Sequence, residues 1–307
     1  MTLSQDQFLV RFWGVRGSIA SPGPETVRYG GNTSCVQMLV GQHCLIFDGG
    51  TGIRVLGQHL LQHLPVKGHL FFTHSHWDHI QGFPFFGPAF VPGNEFHIYG
   101  AIAPDGSTIE QRLSDQMLHP NFPVPLQIMG AKLAFHDLEI GQTIALDDEV
   151  LIETALLNHP GESLGYRVNW RGHAVAYVTD TEHFSDRLDE NVLKLAQDAD
   201  ILIYDSTYTD AEYHSPTSSK IGWGHSTWQE AVKIAKAAQV NTLAIFHHDP
   251  LHNDDVLDTI GEQVAQEFQN AVMTREGLVL SVLPKEAAVV DPSLTQTADG
   301  VQEQVSA

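Results

Sequence analysis

Six consecutive residues hold most of the chemistry that this sequence advertises: His74-Ser75-His76-Trp77-Asp78-His79. They follow HLFFT (His69 to Thr73), a short apolar run that reads as a strand. At the end of an extended strand, residues two apart point the same way, so His74 and His76 can face one ion together. Asp78 and His79 come where the chain turns toward a helix, and from there they can reach a second ion a few ångströms away. Imidazole and carboxylate ligands together suit Zn²⁺, and also Mn²⁺ or Fe. Two close divalent ions lower the pKa of a water they share, which gives a nucleophile near neutral pH.

THSHWDH resembles the HxHxDH signature of the metallo-β-lactamase superfamily. The resemblance implies three further ligands, each at a strand end and in fixed order: a His, a bridging Asp and a last His. The matching positions are His159 after VLIETALLN, Asp180 after AVAYVT and His247 after TLAIF. The implied assignment places His74, His76 and His159 on one metal and Asp78, His79 and His247 on the other, with Asp180 bridging. Two divalent cations, zinc first and manganese second, are the implied cofactors. His248 is the rival for the last position. Asp48 in FDGGTG resembles the superfamily's buried Asp beneath the metals, where it would hold a ligand His; a turn-capping role is the alternative. The resemblance spans roughly Phe8 to Pro250.

Three segments are similar to the phosphodiesterase branch, the tRNase Z-like and cyclic phosphodiesterase-like members. They are the opening FWGVRGSIASPG with RYGGNTSC, the GHST motif (Gly224 to Thr227) and the HHDP ending (His247 to Pro250), where Asp249 departs from the usual Ser. The resemblance makes His225 the candidate general acid, Glu212 its acidic partner with Asp210 as rival, and Asp78 part of the catalytic centre. Arg16 and Arg28 are candidate phosphate contacts, with structural ion pairs as the alternative. The implied function is a metal-dependent phosphodiesterase acting on a small phosphodiester, a cyclic nucleotide or nucleotide derivative. Alternatives are a thioester or lactone hydrolase on the same metals, an RNA 3′-processing endonuclease, and a non-catalytic nucleotide-binding sensor.

The elements that must position these residues are legible as apolar runs. FLVRFWG, CVQMLV and CLIFD read as strands, and Ile53, Leu56, Leu60 and Leu64 give helical spacing after a glycine turn. From Lys132 onward, KLAFHDL, VLIETALL, LGYRVNW, HAVAYVTD, ILIYD and TLAIF are strand candidates. Helices are expected near Leu188 to Gln197, after a capping-box pattern at Thr227 and Glu230, and from near Asp254. Phe83 to Pro125 reads as a loop region around one helix near Thr108 to Met117, and Phe83, Phe85, Phe86 and Phe90 could wall a base there or pack on the core. Strands dominate and helices close each half, which predicts an α/β fold: a four-layer αββα sandwich, two packed sheets with helices outside. One domain over residues 1–284 is expected, followed by an acidic, disordered tail over 285–307.

Charge restricts the substrate. The chain carries 16 Lys+Arg against 37 Asp+Glu, a formal charge of −21, where a protein gripping a long polyanion normally shows a basic face. Large nucleic acid is therefore disfavoured as a partner. Two cysteines, Cys35 and Cys44, suit a reducing compartment. The first residues lack a signal-peptide pattern and no apolar run reaches about eighteen residues, so a cytoplasmic protein without membrane association is expected. A homodimer is compatible with the resemblance.

Overall fold

The structure is a computed structural model that describes residues 6–282 and Val289–Val290. Six strands come first: β1 (Phe8–Gly14), β2 (Cys35–Val40), β3 (His43–Phe47), β4 (Lys67–Phe71), β5 (Glu95–Ala101) and β6 (Lys132–Leu138). Seven follow: β7 (Thr143–Ala145), β8 (Val150–Leu157), β9 (Ser163–Trp170), β10 (His173–Val178), β11 (Ile201–Asp205), β12 (Thr242–Phe246) and β13 (Ala271–Met273). The last two, β14 (Leu278–Ser281) and β15 (Val289–Val290), return to the first sheet, whose order is β15-β14-β1-β2-β3-β4-β5-β6. The second sheet runs β13-β12-β11-β10-β9-β8-β7. The helices are α1 (Gly52–Leu60), α2 (Trp77–Ile80), α3 (Ile109–Asp115), α4 (Glu190–Ala196), α5 (Asp210–Tyr213), α6 (Trp228–Ala237) and α7 (Asp254–Glu267).

Strand alternation builds the layers. In β2, Val36, Met38 and Val40 face the second sheet, while Cys35 and Leu39 face the helices. In β11, Ile201 and Ile203 point inward, and Leu202 and Tyr204 pack against α4, α6 and α7 on the other side. Both faces of the central strands are buried, which is why CLIFD, ILIYD and TLAIF read as continuous apolar runs. Three apolar clusters result, one between the sheets and one under each helix layer, giving the αββα sandwich. Phe71 sits at the centre of the inter-sheet layer, stacked on Phe47 at 5.3 Å and on Tyr99 at 4.6 Å between ring centroids.

Several local expectations are corrected. The stretch Phe83 to Pro125 contains a full strand, β5, that pairs in parallel with β4 and β6. Its sequence, EFHIYGA, carries only three large apolar residues and was hidden among prolines and glycines. Phe83 and Phe86 are fully buried beneath the first sheet and Phe90 packs against the same cluster, so they serve the core; Phe85 is exposed. At α6 only half of the capping box forms: Thr227 accepts from the Glu230 amide, but the Glu230 carboxylate pairs with Lys233. The complete box caps α5 at Thr209 and Glu212. The boundary at 284 and the tail lie outside the described residues, apart from Val289–Val290, which pair with β14. No helix among the described residues is long and apolar enough to cross a membrane.

Strands β3, β4 and β5 are parallel, as are β10, β11 and β12. Their carboxyl ends open on the same edge of the sandwich, and Asp48, His74, Asp180, Asp205 and His247 all stand there, each within three residues of a strand end. That edge is where open α/β sheets place their sites.

Candidate metal centre

The turns leaving these strands are tight. Asp48, Asp180 and His247 adopt left-handed backbone, with φ of 61°, 54° and 64°. Aspartate and histidine tolerate that region better than most residues, yet each instance is strained by about 1–3 kcal/mol. Strain of this kind clusters where a side chain must be aimed. Here it turns the three side chains into the gap between the sheets.

The structure gathers the seven expected ligands into two adjoining groups. His74, His76, His159 and Asp180 form one, and Asp78, His79, His247 and Asp180 form the other. Asp180 divides its carboxylate between them. Its Oδ1 lies 3.8 Å from Nε2 of both His74 and His159, while its Oδ2 lies 3.1 Å from His79 Nε2 and 3.2 Å from His247 Nε2. Asp78 Oδ2 completes the second group at 3.2 Å from His79 and 3.4 Å from His247. His76 turns its Nδ1 inward, 3.1 Å from His159 Nε2.

A hydrogen bond behind four of the five imidazoles fixes their orientation. His79 Nδ1 is 2.8 Å from Asp48, His159 Nδ1 is 2.7 Å from the Gly224 carbonyl, His74 Nδ1 is 3.0 Å from the Thr73 hydroxyl and His247 Nδ1 is 3.0 Å from the Thr207 hydroxyl. Each bond makes Nδ1 the donor and leaves a lone pair on the inward Nε2. The Nε2 atoms of His74, His79 and His247 are buried without a hydrogen-bond partner among the described residues. Orphaned buried acceptors are costly unless something satisfies them. Three of them converging with two ionised carboxylates form a donor set for divalent cations.

The electrostatics agree. Burial would raise the Asp180 and Asp78 carboxyls, but the surrounding imidazoles, His247 and His79 foremost for Asp180 and His79 first for Asp78, hold both below their ordinary range. His79 is pushed the other way: burial disfavours its charge, yet Asp180, Asp78 and Asp48 together raise it. Positive charge is thus demanded at the centre, and a divalent cation would supply it.

Beneath the ligands lie two strand-end aspartates. Asp48 accepts from the Thr73 amide at 2.8 Å, the Tyr177 hydroxyl at 2.9 Å and His79. That geometry holds a ligand ring, as the resemblance implied. Asp205 was not anticipated. It accepts from the Thr207 hydroxyl at 2.7 Å and from His225 Nδ1 at 2.9 Å. The readable signal was positional: ILIYD ends on Asp205 as CLIFD ends on Asp48, each an apolar strand closed by an acid.

His225 belongs to the centre, and its expected partners do not. Glu212 bonds His252 at 2.7 Å and the Thr209 amide at 2.7 Å, and Asp210 accepts from the Thr227 hydroxyl at 2.6 Å. Glu212 is held by the cap of its own helix, α5, and Asp210 by Thr227 at the start of α6, so Asp205 takes the place beside His225. Burial alone would lower the His225 pKa, but the charge of Asp205 and its hydrogen bond outweigh burial and push it up to about 9. His248 is buried away from the ligands with its Nε2 donating to the Thr274 carbonyl at 2.8 Å, and burial pushes its pKa down to about 3.

Neither expected phosphate contact reaches the centre. Arg16 is fully buried and donates to the carbonyls of Gly30, Asp249 and His252, tying the opening loop to the HHDP turn. Arg28 pairs with Asp254, Asp255 and Asp258 on α7. Instead, Ser18 donates its backbone amide to Asp78 at 2.7 Å. A cavity of about 470 Å³ opens over the ligands, lined by Ser18, Ser75, His76, Trp77, Asp78, Asp180 and His225. Trp77 is 79% exposed at its rim. Trp223, two residues before His225, is 57% exposed with the Lys220 ammonium 4.1 Å from its ring centre.

A further residue that the sequence did not flag binds the ligand loops together. Glu182 accepts from the Tyr213 hydroxyl at 2.5 Å and from the amides of Gly222 at 2.7 Å and Gly224 at 2.8 Å. Its backbone is paired to Asn158, next to His159. Gly224, at φ 83°, is the one residue that fits there, since a Cβ would stand 2.4 Å from His159 Nδ1.

Comparison with known proteins follows the same lines. A ribonuclease Z of Gemmatimonas aurantiaca is 31% identical over 50% of this chain, a match that spans 43% of that relative's own length. A ribonuclease Z of Picrophilus torridus is 25% identical over 90% of this chain and 96% of its own. The crystal structure of human tRNase Z, short form, superposes with a TM-score of 0.62 at 20% identity, covering 90% of this chain and 99% of that one, which shows the shared fold. Residues 43–248 match the family described as "Beta-lactamase superfamily domain", and with its HxHxDH ligands assembled between two helix-flanked sheets the chain belongs to that superfamily, as a metallo-β-lactamase-fold hydrolase.

Proposed function

We propose that this protein is a dinuclear metal-dependent phosphodiesterase, with His74, His76, His159 and Asp180 holding one cation and Asp78, His79, His247 and Asp180 the other. The carrying observation is the pairing of a split Asp180 carboxylate with a separate, buried His225–Asp205 dyad on the wall of the same cavity. Zinc suits the His-rich donor set best, with manganese second. When bound, the cations would supply Lewis acidity and an activated water.

The chain's own residues do the rest. Asp205 accepts from His225 Nδ1, which orients the ring and leaves Nε2 for the cavity. Burial disfavours charge on His225, but the Asp205 carboxylate and its hydrogen bond favour the protonated ring, which can then protonate a departing alkoxide. Such acid catalysis is typically worth ~10²–10⁴ in rate, and it matters most for poor leaving groups. A thioester, whose thiolate departs without a proton, has less use for a buried acid of this kind than an alkyl phosphodiester has. Ser18 holds Asp78 through its backbone amide, and Glu182 fixes the loop that delivers both Gly224 and His225.

The substrate we propose is a nucleotide-derived phosphodiester, a small one or a short single strand. Two relatives carry the name ribonuclease Z, so the global charge of −21 does not by itself remove RNA from consideration. Exposed Trp77 and Trp223 offer sequence-tolerant faces on which bases stack. The test is hydrolysis of bis(p-nitrophenyl) phosphate by metal-characterised protein, with a thioester and a lactone alongside. Diester turnover abolished by chelation and restored by Zn²⁺ or Mn²⁺ supports the reading; thioester or lactone cleavage without diester turnover overturns it.

A further inference from the structure

A second cleft, of about 720 Å³, adjoins the metal centre along the opening loop. Ser18 lines the cavity over the metals and Ala20 lines this cleft, and two residues of extended chain span at most about 7 Å. Its other walls come from the RYGG turn, from Thr51 and Arg54 at the start of α1, and from Arg275 and Glu276 before β14.

The cations of this chain are few, and most of those described are committed. Lys67, Lys132, Arg171 and Lys233 pair with carboxylates, and Arg112 and Arg167 donate to backbone carbonyls. Arg54 and Arg275 are different. Both are exposed, their side chains form no hydrogen bond or ion pair among the described residues, and both line this one cleft. Arg28 lines it too, pinned to its three aspartates. The one acid in the lining, Glu276, has its carboxylate occupied by the amide of Asn32 at 2.7 Å and by its side chain at 3.0 Å. In a chain of net charge −21, two unpaired guanidinium groups converging on one cleft form a local exception to the surrounding field.

We propose that the Arg54–Arg275 cleft is an anion subsite that binds a second phosphate of a short single-stranded nucleotide substrate, next to the phosphodiester held at the metals. The guanidinium fork matches phosphate oxygens in a way that a lone ammonium does not. The inference rests on the phosphodiesterase reading for its choice of ligand. It makes chain length a determinant of affinity: a substrate with one phosphate uses only the metal centre, whereas a trinucleotide also reaches the arginines.

Binding and turnover test it separately. The binding probe is a fluorescein-labelled trinucleotide with phosphorothioate linkages, which keep the charge and slow hydrolysis, followed by anisotropy with metal-loaded protein over a range of salt. The double variant R54A/R275A is expected to bind about tenfold more weakly, and its slope of log K against log salt to flatten by about 0.7 for one lost phosphate contact. R54K/R275K, which keeps the charge, is expected to recover part of the loss. In turnover, kcat/KM for an unmodified trinucleotide should fall about tenfold further than kcat/KM for bis(p-nitrophenyl) phosphate. Equal affinity and equal salt slope in wild type and R54A/R275A overturn the subsite, as does a wild-type protein that does not bind the trinucleotide. Absence of any diester turnover overturns the phosphodiesterase reading instead, and the binding arm still decides the subsite.

Discussion

Thr207 places its hydroxyl 2.7 Å from Asp205 and 3.0 Å from His247 Nδ1, so one threonine links the carboxylate behind His225 to His247 in the candidate metal centre. Thr73 repeats the arrangement on the other sheet, joining Asp48 to His74. In each case a strand-end acid accepts from a threonine hydroxyl whose own oxygen accepts from a ligand imidazole. The two halves of the site are built by the same device at the ends of β4 and β11.

The first prediction concerns the dyad. H225A should keep both metals and lose ~10²–10⁴ in kcat on diesters with alkyl leaving groups. Activated nitrophenyl esters should suffer much less, because their leaving group needs no proton. D205N should follow the same pattern in milder form, since it leaves the imidazole but removes the charge that keeps it protonated. Equal losses on both ester types, measured with metal content matched, would sink the acid role.

Asp180 is shared by both ligand groups, so D180A should release both cations and not merely one. Metal analysis after gel filtration should show about zero equivalents, against two for wild type. Chelation of the wild type should lower its thermal midpoint, since each site filled at a hundred times its Kd adds about 2.7 kcal/mol to stability. D78A, which strips only the second group, should retain one equivalent and lose activity.

Gly224 stands where a methyl group would meet His159 Nδ1 and Pro160, at a positive φ that alanine resists. G224A should therefore be less stable by about 1–3 kcal/mol in urea unfolding. It should also bind the cation held by His74, His76 and His159 more weakly. A variant as stable and as well metallated as wild type would show that the loop relaxes freely.

Glu212 offers a pH test away from the metals. Burial would raise its pKa, but hydrogen bonds from His252 and Thr209 draw it down to about 2. An unfolded glutamate titrates near ~4.3. The folded value is depressed, so the contribution is fully present above pH ~4.3 and disappears as pH falls toward 2. The partly exposed side chain keeps the effect small. E212Q should flatten the acid limb of stability against pH and leave the leaving-group dependence of turnover unaltered. A leaving-group effect like that of H225A would instead return Glu212 to the catalytic dyad.

Much of the site was legible in the sequence because its ligands sit at the ends of apolar strands. HxHxDH is local: four ligand-type side chains within six residues stand out without knowledge of the fold. His159, Asp180 and His247 needed the superfamily's order as a guide, since a single His or Asp after a strand is common. Between His247 and His248 the sequence favours His247, which directly follows the strand and matches the superfamily's last His, although adjacent residues there differ only in which way the turn throws them. Positive φ at His247 points it at Asp180, and His248 goes to Thr274 instead.

Sequence alone determined the sheet-forming runs, the helices with clear periodicity and the chemical class of the ligands, because these depend on neighbours a few residues apart. It lost β5, whose polar face and flanking prolines obscure its period, and it misplaced the partner of His225. Glu212 lies thirteen residues before His225 and Asp205 lies twenty, yet the nearer acid is spent capping α5. Only the tertiary structure could decide this, since β11 runs beside β12 and so brings Asp205 under His225 and His247 together. The same holds for Arg54 and Arg275: 221 positions apart in the chain, they meet in one cleft because α1 and the turn before β14 close on the same opening loop.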